Sequence, residues 1–140
     1  MFRRMIASLV LILGGTLLAP AAASAAPSSA VESRSAYYFG AISLSVADGA
    51  YGYSYDYPTR AGAQRRAHRG CTNKSRYPGY CRKVVWVRNG CAAVVVKWNA
   101  NGSIRRYNWG VAYTRKRAVK LAHRNMPAGS RMRVAVCTTR

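Results

Sequence analysis

The chain of 140 residues carries 23 Lys and Arg against 3 Asp and Glu, a formal net charge of +20, with 50% of residues hydrophobic. Three carboxylates leave almost no candidates for paired-carboxylate or two-metal chemistry. The charge opposes compaction through self-repulsion and favours anionic partners such as nucleic acid, wall polymers or anionic lipid.

The chain opens as an export signal. Arg3 and Arg4 form a basic start, Met5 to Ala19 an apolar core, and Ala23-Ser24-Ala25 a small-residue cleavage site, so cleavage is expected after Ala25 and the product is expected to be secreted. About 15 apolar residues before Pro20 are too few to span a bilayer comfortably. No Ser or Thr precedes Arg3-Arg4, which points to the ordinary secretory route rather than twin-arginine export. The remaining 115 residues (140 less 25) hold 21 basic residues (23 less 2) against 3 acidic ones and suit one domain with one core. Residues 26–36 are rich in Ser and Ala with little to pack and are expected to form a disordered leader, leaving 37–140 as the domain.

Tyr37 to Val46 alternates as a strand, and Asp48-Gly49-Ala50 supplies a hairpin turn. Tyr51, Tyr53, Tyr55 and Tyr57 return on one face of the next strand. Thr59 is the expected N-cap of a helix to about Gly70, with Ala63, Ala67 and Cys71 on one narrow face and Arg60, Arg65, Arg66 and Arg69 left for solvent. Asn73 to Tyr80, with Pro78-Gly79, reads as a loop. Val84–Val87 and Ala92–Val96 are β-branched runs around Asn89-Gly90, a strong hairpin signal that would pair Val87 with Ala92 and Trp86 with Ala93. Asn99 to Gly102 makes another turn, and Ile104 to Ala112 forms a strand. Thr114 opens a second helix with Ala118, Ala122 and Met126 inward, ended by Pro127-Ala128-Gly129, and Arg133 to Thr138 closes the chain as a strand.

Part of this is written twice. Y-G-Y-S-Y-D-Y-P-T-R-A-G-A-Q-R-R-A-H-R from Tyr51 recurs as Y-N-W-G-V-A-Y-T-R-K-R-A-V-K-L-A-H-R from Tyr107, and aligned this way only Pro58 lacks a counterpart. The element order β-β-α-β-β-β-α-β is therefore two ββαβ copies, predicting an α+β fold: a mainly antiparallel sheet with both helices packed on one face.

Four cysteines in a small exported chain read as two disulfides, with three possible connectivities. The duplication selects among them. Cys71 and Cys81 flank the first helix-to-strand loop, and their counterparts in the second copy, near Met126 and Arg131, are both non-cysteine. Loss of the two together is expected of a bonded pair, so Cys71 is assigned to Cys81 and Cys91 to Cys137. No C-x-x-C or paired-His spacing supports a metal site, and no cofactor is implied.

F-G-A-I-S from Phe39, Y-G-Y-S-Y from Tyr51, C-R-K-V-V-W-V-R-N-G-C-A-A from Cys81 and the terminal V-A-V-C resemble the bacterial exported family catalogued as domain of unknown function 4189. The resemblance spans nearly the whole mature chain and implies an exported, disulfide-bonded α+β domain without a settled activity. This chain lacks a second helix-to-strand cysteine pair, which many relatives carry.

Chemistry has few places to reside. His68 and His123 suggest a metal-free ribonuclease with one imidazole as base and one as acid, but both occupy the same place in A-H-R, so duplication alone explains them. The aromatic rows at Tyr51–Tyr57 and at Tyr107, Trp109, Val111 and Tyr113 read as core. The predicted hairpin would carry Val85, Val87, Ala92, Val94, Val96 and Trp98 toward the core beneath the helices. Its other face would carry Arg82, Val84, Trp86, Arg88, Cys91, Ala93, Val95 and Lys97, joined by Arg133 and Cys137 from the last strand. Arg82, Trp86, Arg88, Lys97 and Arg133 are accordingly the candidate anion-binding residues: guanidinium groups bind phosphate and the indole offers a stacking surface. The expected function is a secreted, non-enzymatic binding module for an anionic polymer or surface. The alternative is a protein-interaction or inhibitor domain steered to an acidic protein.

Overall fold

In the computed structural model, which describes residues 37–139, the chain forms β1 (Phe39–Ser45), β2 (Tyr51–Tyr57), α1 (Arg60–Thr72), a 3-10 turn (Pro78–Tyr80), β3 (Cys81–Arg88), β4 (Cys91–Trp98), β5 (Ile104–Ala112), α2 (Arg115–Ala122) and β6 (Arg131–Cys137). The export signal, its cleavage site and the leader expected over residues 1–36 lie outside the described residues. The element order is the expected one, and the fold is α+β.

Both helices start where a threonine can cap them. Thr59 Oγ1 accepts from the Gly62 amide at 3.1 Å, and Thr114 Oγ1 accepts from the Arg117 amide at 3.3 Å. Their alanine stripes are buried: Ala63 and Ala67 on α1, Ala118 and Ala122 on α2. α2 is shorter than its sequence suggests. It stops at Ala122 rather than at Pro127, because Asn108 Nδ2 donates to the Arg124 carbonyl at 2.8 Å and Asn125 turns the chain at φ 57°.

The strands form two antiparallel three-stranded sheets, ordered β2-β1-β3 and β5-β4-β6. This corrects the expectation of one sheet with both helices on one face. Ile42 and Leu44 of β1 and Val85 and Val87 of β3 pack against Ala92, Val94 and Val96 of β4 and Val134 and Val136 of β6, forming the main core between the sheets. Ala41 turns outward to meet Ala63 and Ala67 of α1, while Cys91, Ala93 and Val95 turn outward to meet Ala118 and Ala122 of α2. The layers are therefore helix, sheet, sheet, helix. The apolar row from Val85 to Val96 is core as expected, but it lies between sheets rather than beneath helices.

The reason is at Asn89-Gly90, which does not close a hairpin. β3 pairs with β1 and β4 pairs with β5 and β6, so Val87 faces Gly40 and Ala92 faces Val111 and Val136. Only Asn89 has positive φ, whereas a type I′ turn needs it at both central residues. Asn89 remains in the first sheet, where its amide donates to Tyr38 O at 3.0 Å and its Oδ1 accepts from Tyr38 N at 2.7 Å. Gly90 already belongs to the second, where its amide donates to Thr138 Oγ1 at 2.9 Å and its carbonyl accepts from Thr138 N at 2.9 Å. The dipeptide thus passes the chain from one sheet to the other.

The disulfides are Cys71–Cys81 and Cys91–Cys137. The first ties the end of α1 to the start of β3. The second joins directly opposed residues of β4 and β6. Disulfides of this kind belong to oxidising compartments. Among the described residues no helix is long and apolar enough to cross a membrane.

Bulges set where side chains point. Opposed residues of an antiparallel pair share a face, and the β1–β2 register passes from Ala41↔Ser54 to Phe39↔Tyr57, placing an extra residue at Tyr55-Asp56. Asp56 has φ 56°. The one-residue difference between the copies is therefore this bulge rather than an insertion at Pro58. It turns Tyr57 to the helix side, against Ala63 and Ala67, and leaves Tyr51, Tyr53 and Tyr55 on the side that faces the other sheet.

Candidate anion-binding surface

The main core takes its buried residues from β1, β3, β4 and β6 only. β2 and β5 overhang it at the rims of the sandwich, and their aromatic rows are exposed as a consequence. Tyr53 and Tyr55 are 45% and 56% exposed, and Tyr107, Trp109 and Tyr113 of the β5 side are 38%, 48% and 77% exposed. This corrects the reading of these residues as core, whereas Tyr51 packs against the main core and Tyr57 against the alanines of α1. Aromatic residues suit half-buried strands, and alternation alone does not show whether a second layer covers them.

On β2 the rings form a ladder. Tyr51 and Tyr53 have centroids 6.4 Å apart with planes at 25°, and Tyr53 and Tyr55 stand 6.5 Å apart at 18°. One flank of the ladder opens as a groove of about 360 Å³ shared with β6 and bordered by Arg115 and Arg133. The other flank opens beside α1 as a groove of about 370 Å³ bordered by Arg66 and Lys74. Lys74 Nζ lies 5.5 Å from the Tyr51 ring centroid, and the Arg133 guanidinium lies 4.8 Å from it and 5.5 Å from that of Trp98.

The predicted site residues separate into three groups. Trp86 and Arg88 do lie on one exposed face of β3. The Arg60 guanidinium sits 4.2 Å over the Trp86 ring, with Phe39 6.2 Å away, and Arg88 sits 4.6 Å over Tyr37. Arg82 is exposed, but on the other face. The β1–β3 register skips Val84, so Arg82 opposes Leu44 while Trp86 opposes Ala41. Lys97 and Arg133 belong to the other sheet. Lys97 Nζ donates to Ala128 O at 2.7 Å, and Arg133 Nε donates to Gly49 O at 2.9 Å, so each also braces a loop. Cys91, Ala93 and Val95, placed by sequence on the same outer face, are buried under α2. The five residues are thus not one patch, because the face that was to hold them required β3 and β4 to pair.

Sequence reasoning missed Arg60, Arg66, Lys74 and Arg115, and it assigned Tyr53 and Tyr55 to the core. The available signal was the coincidence of a tyrosine row with basic residues in the helices that follow each copy's second strand.

The two carboxylates among the described residues are occupied elsewhere. Asp48 accepts from Ala50 N at 3.1 Å and Arg76 N at 2.8 Å and takes a bond from Ser75 Oγ at 2.9 Å. Desolvation would raise its pKa, but the hydrogen bonds from Ser45, Ala50, Arg76 and Ser75 outweigh it and hold the group at about 2. Asp56 accepts from Thr139 N at 2.6 Å and from its hydroxyl, pinning the end of β6 to β2. His68 lies in α1 and His123 caps the C-terminus of α2, on opposite outer layers, which separates the acid and base that a ribonuclease would need together. Among the described residues no three His, Cys, Asp or Glu side chains stand close enough to hold a metal ion.

The sequence model of the family described as Domain of unknown function (DUF4189) matches residues 39–139. The NMR structure of Rv1813c from Mycobacterium tuberculosis is similar over 71% of this chain and 74% of that one, at 28% identity and a TM-score of 0.47. No curated protein matches.

Proposed function

The chain belongs to the DUF4189 family, and from that premise we propose that it is an exported, non-enzymatic module that binds an anionic polymer or surface, such as nucleic acid, wall polymer or anionic lipid. Export is supported by the signal-like residues 1–25 and by two disulfides. One observation carries the binding reading: among the described residues, four cations stand on aromatic rings. Arg60 on Trp86, Arg88 on Tyr37, and Arg133 and Lys74 on Tyr51 are held in place by ring faces. Asp48 and Asp56 spend their lone pairs on amides and hydroxyls. A ring orients a cation without cancelling its charge, so N–H donors are pre-positioned for phosphate, sulfate or carboxylate oxygens.

The measurement is binding to nucleic acid, wall polymer and anionic vesicles over a salt series. Affinity falls steeply with salt as counterions are released or charges screened. Affinity that stays level from low to high salt refutes the reading. The exposed row on β5, ending in Tyr113, favours a second reading as a protein-interaction domain, since aromatic residues are enriched at interfaces. A stoichiometric protein complex whose formation is abolished by Tyr113→Ala would support it.

A further inference from the structure

The β2 ladder is the part of this surface that a featureless polyanion leaves without a role. Two exposed tyrosine rings in a row, Tyr53 and Tyr55, are held near-parallel beside a third, and each open flank of the ladder is bordered by two cations: Arg66 and Lys74 on one side, Arg115 and Arg133 on the other. A ligand that uses all of it must present flat apolar faces at regular intervals and negative charge alongside them. We propose that this ladder is a stacking track for single-stranded nucleic acid, with bases laid against the tyrosine rings and phosphates met by the flanking cations. The proposal rests on the anionic-polymer reading above and names the polymer.

Spacing selects the single strand over the duplex. The rings stand 6.4 and 6.5 Å apart, close to twice the ~3.4 Å rise per nucleotide of one strand of B-form DNA. Bases stacked in a duplex cannot engage successive rings, whereas a strand whose bases are splayed apart can. Recognition through π-faces is tolerant of base identity, because every base has one. Anionic polysaccharide, polyphosphate and lipid headgroups satisfy the four cations but have no planar rings to place on the ladder.

The test compares a labelled oligodeoxythymidylate, a duplex of equal length and inorganic polyphosphate, using the full mature chain with its disulfides intact. The double variant Tyr53→Ala/Tyr55→Ala removes only exposed rings. It is expected to weaken oligonucleotide binding by roughly 5- to 150-fold for each base left unstacked while leaving polyphosphate binding unchanged. Tyr53→Phe/Tyr55→Phe retains the rings and is expected to retain oligonucleotide binding, which separates stacking from misfolding. The single strand should also outcompete the duplex. If the alanine variant loses affinity for both ligands equally, or for neither, the stacking track is wrong and the anionic-polymer reading survives. If the unaltered chain binds none of the three at low salt, the stacking track fails, and the anionic-polymer reading then stands or falls on wall polymer and anionic vesicles.

Discussion

The two ββαβ copies share a scaffold and spend their differences on different jobs. In each, a small-residue strand face admits a helix at close range: Ser54 Oγ donates to Ala63 O at 2.8 Å in the first copy, and Gly110 lies against Ala118 in the second. Two residues earlier in each, on the same strand face, Gly52 stands in the first copy where Asn108 stands in the second. Gly52 lets α1 run on to Thr72 alongside β2, whereas Asn108 bonds the Arg124 carbonyl beyond the end of α2 at Ala122. The disulfides also occupy different places. Cys91 and Cys137 are opposed in the second copy, and the matching positions in the first hold Phe39 opposite Arg88. Freed from that link, the first copy uses the same strand end for the Trp86, Arg88 and Arg60 cluster and fastens its helix with Cys71–Cys81 instead. The same element order thus recurs with different fastenings, and the Arg60–Trp86 contact occupies the strand end that the second unit gives to its disulfide.

The largest effect should come from removing the two disulfides separately. The bonded residues are 46 apart for Cys91–Cys137 and 10 apart for Cys71–Cys81. Chain entropy alone then gives a loss of about 4 kcal/mol for Cys91→Ala/Cys137→Ala and about 3 kcal/mol for Cys71→Ala/Cys81→Ala. Urea unfolding of the two double variants measures both. The reverse order would mean that anchoring α1 matters more than closing the longer loop, and the comparison between copies would have to be redrawn.

Gly52→Ala tests the close approach itself. A Cβ there would run into the Ala67 carbonyl oxygen and the Cys71 amide nitrogen, both backbone atoms of α1 that cannot step aside alone. The expected loss is about 1–3 kcal/mol, as for other overpacked sites. Gly79→Ala meets nothing within 4 Å and is the matched control. Equal stability of the two variants would show that α1 moves outward at no cost.

Much of this is legible in the sequence alone. Thr59 and Thr114 announce both helices because capping is a local interaction, and the missing second cysteine pair gives the disulfide connectivity because duplication supplies an internal comparison. What fails is non-local. Asn89-Gly90 carries the composition of a hairpin, but these residues bond to Tyr38 and Thr138, 51 and 48 residues away in sequence, which no local pattern encodes. The candidate surface inherits that error. Arg82 and Trp86 share a face by simple alternation, and the bulge at Val84 places them on opposite sides. Arg133, by contrast, reaches the β2 ladder by a route that the sequence hides, since its guanidinium lies over Tyr51 of the other sheet.

The smallest effect separates the two β-hairpins by pH. The β1–β2 turn depends on Asp48, and the matching β4–β5 turn is built from the neutral Asn99, Asn101 and Ser103, with Asn101 Oδ1 accepting from Ser103 N at 3.1 Å. Asp48 is held at about 2 in the fold against an ordinary 3.8. A carboxylate with a depressed folded pKa contributes stability that is fully present above its unfolded value and lost as pH falls through the folded one. The first hairpin should therefore weaken between about pH 4 and pH 2, and the second should not. Because Asp48 is only partly buried, solvent screens the interaction and the shift in melting temperature should be no more than a few degrees. The melting temperatures of the unaltered chain and Asp48→Asn should accordingly converge as pH falls across that window. Amide exchange should localise the loss to residues near Ala50 and Arg76. A difference between the two proteins that stays constant from pH 5 to pH 2 would show that Asp48 acts through shape rather than charge, and the acid sensitivity assigned to the first copy would disappear.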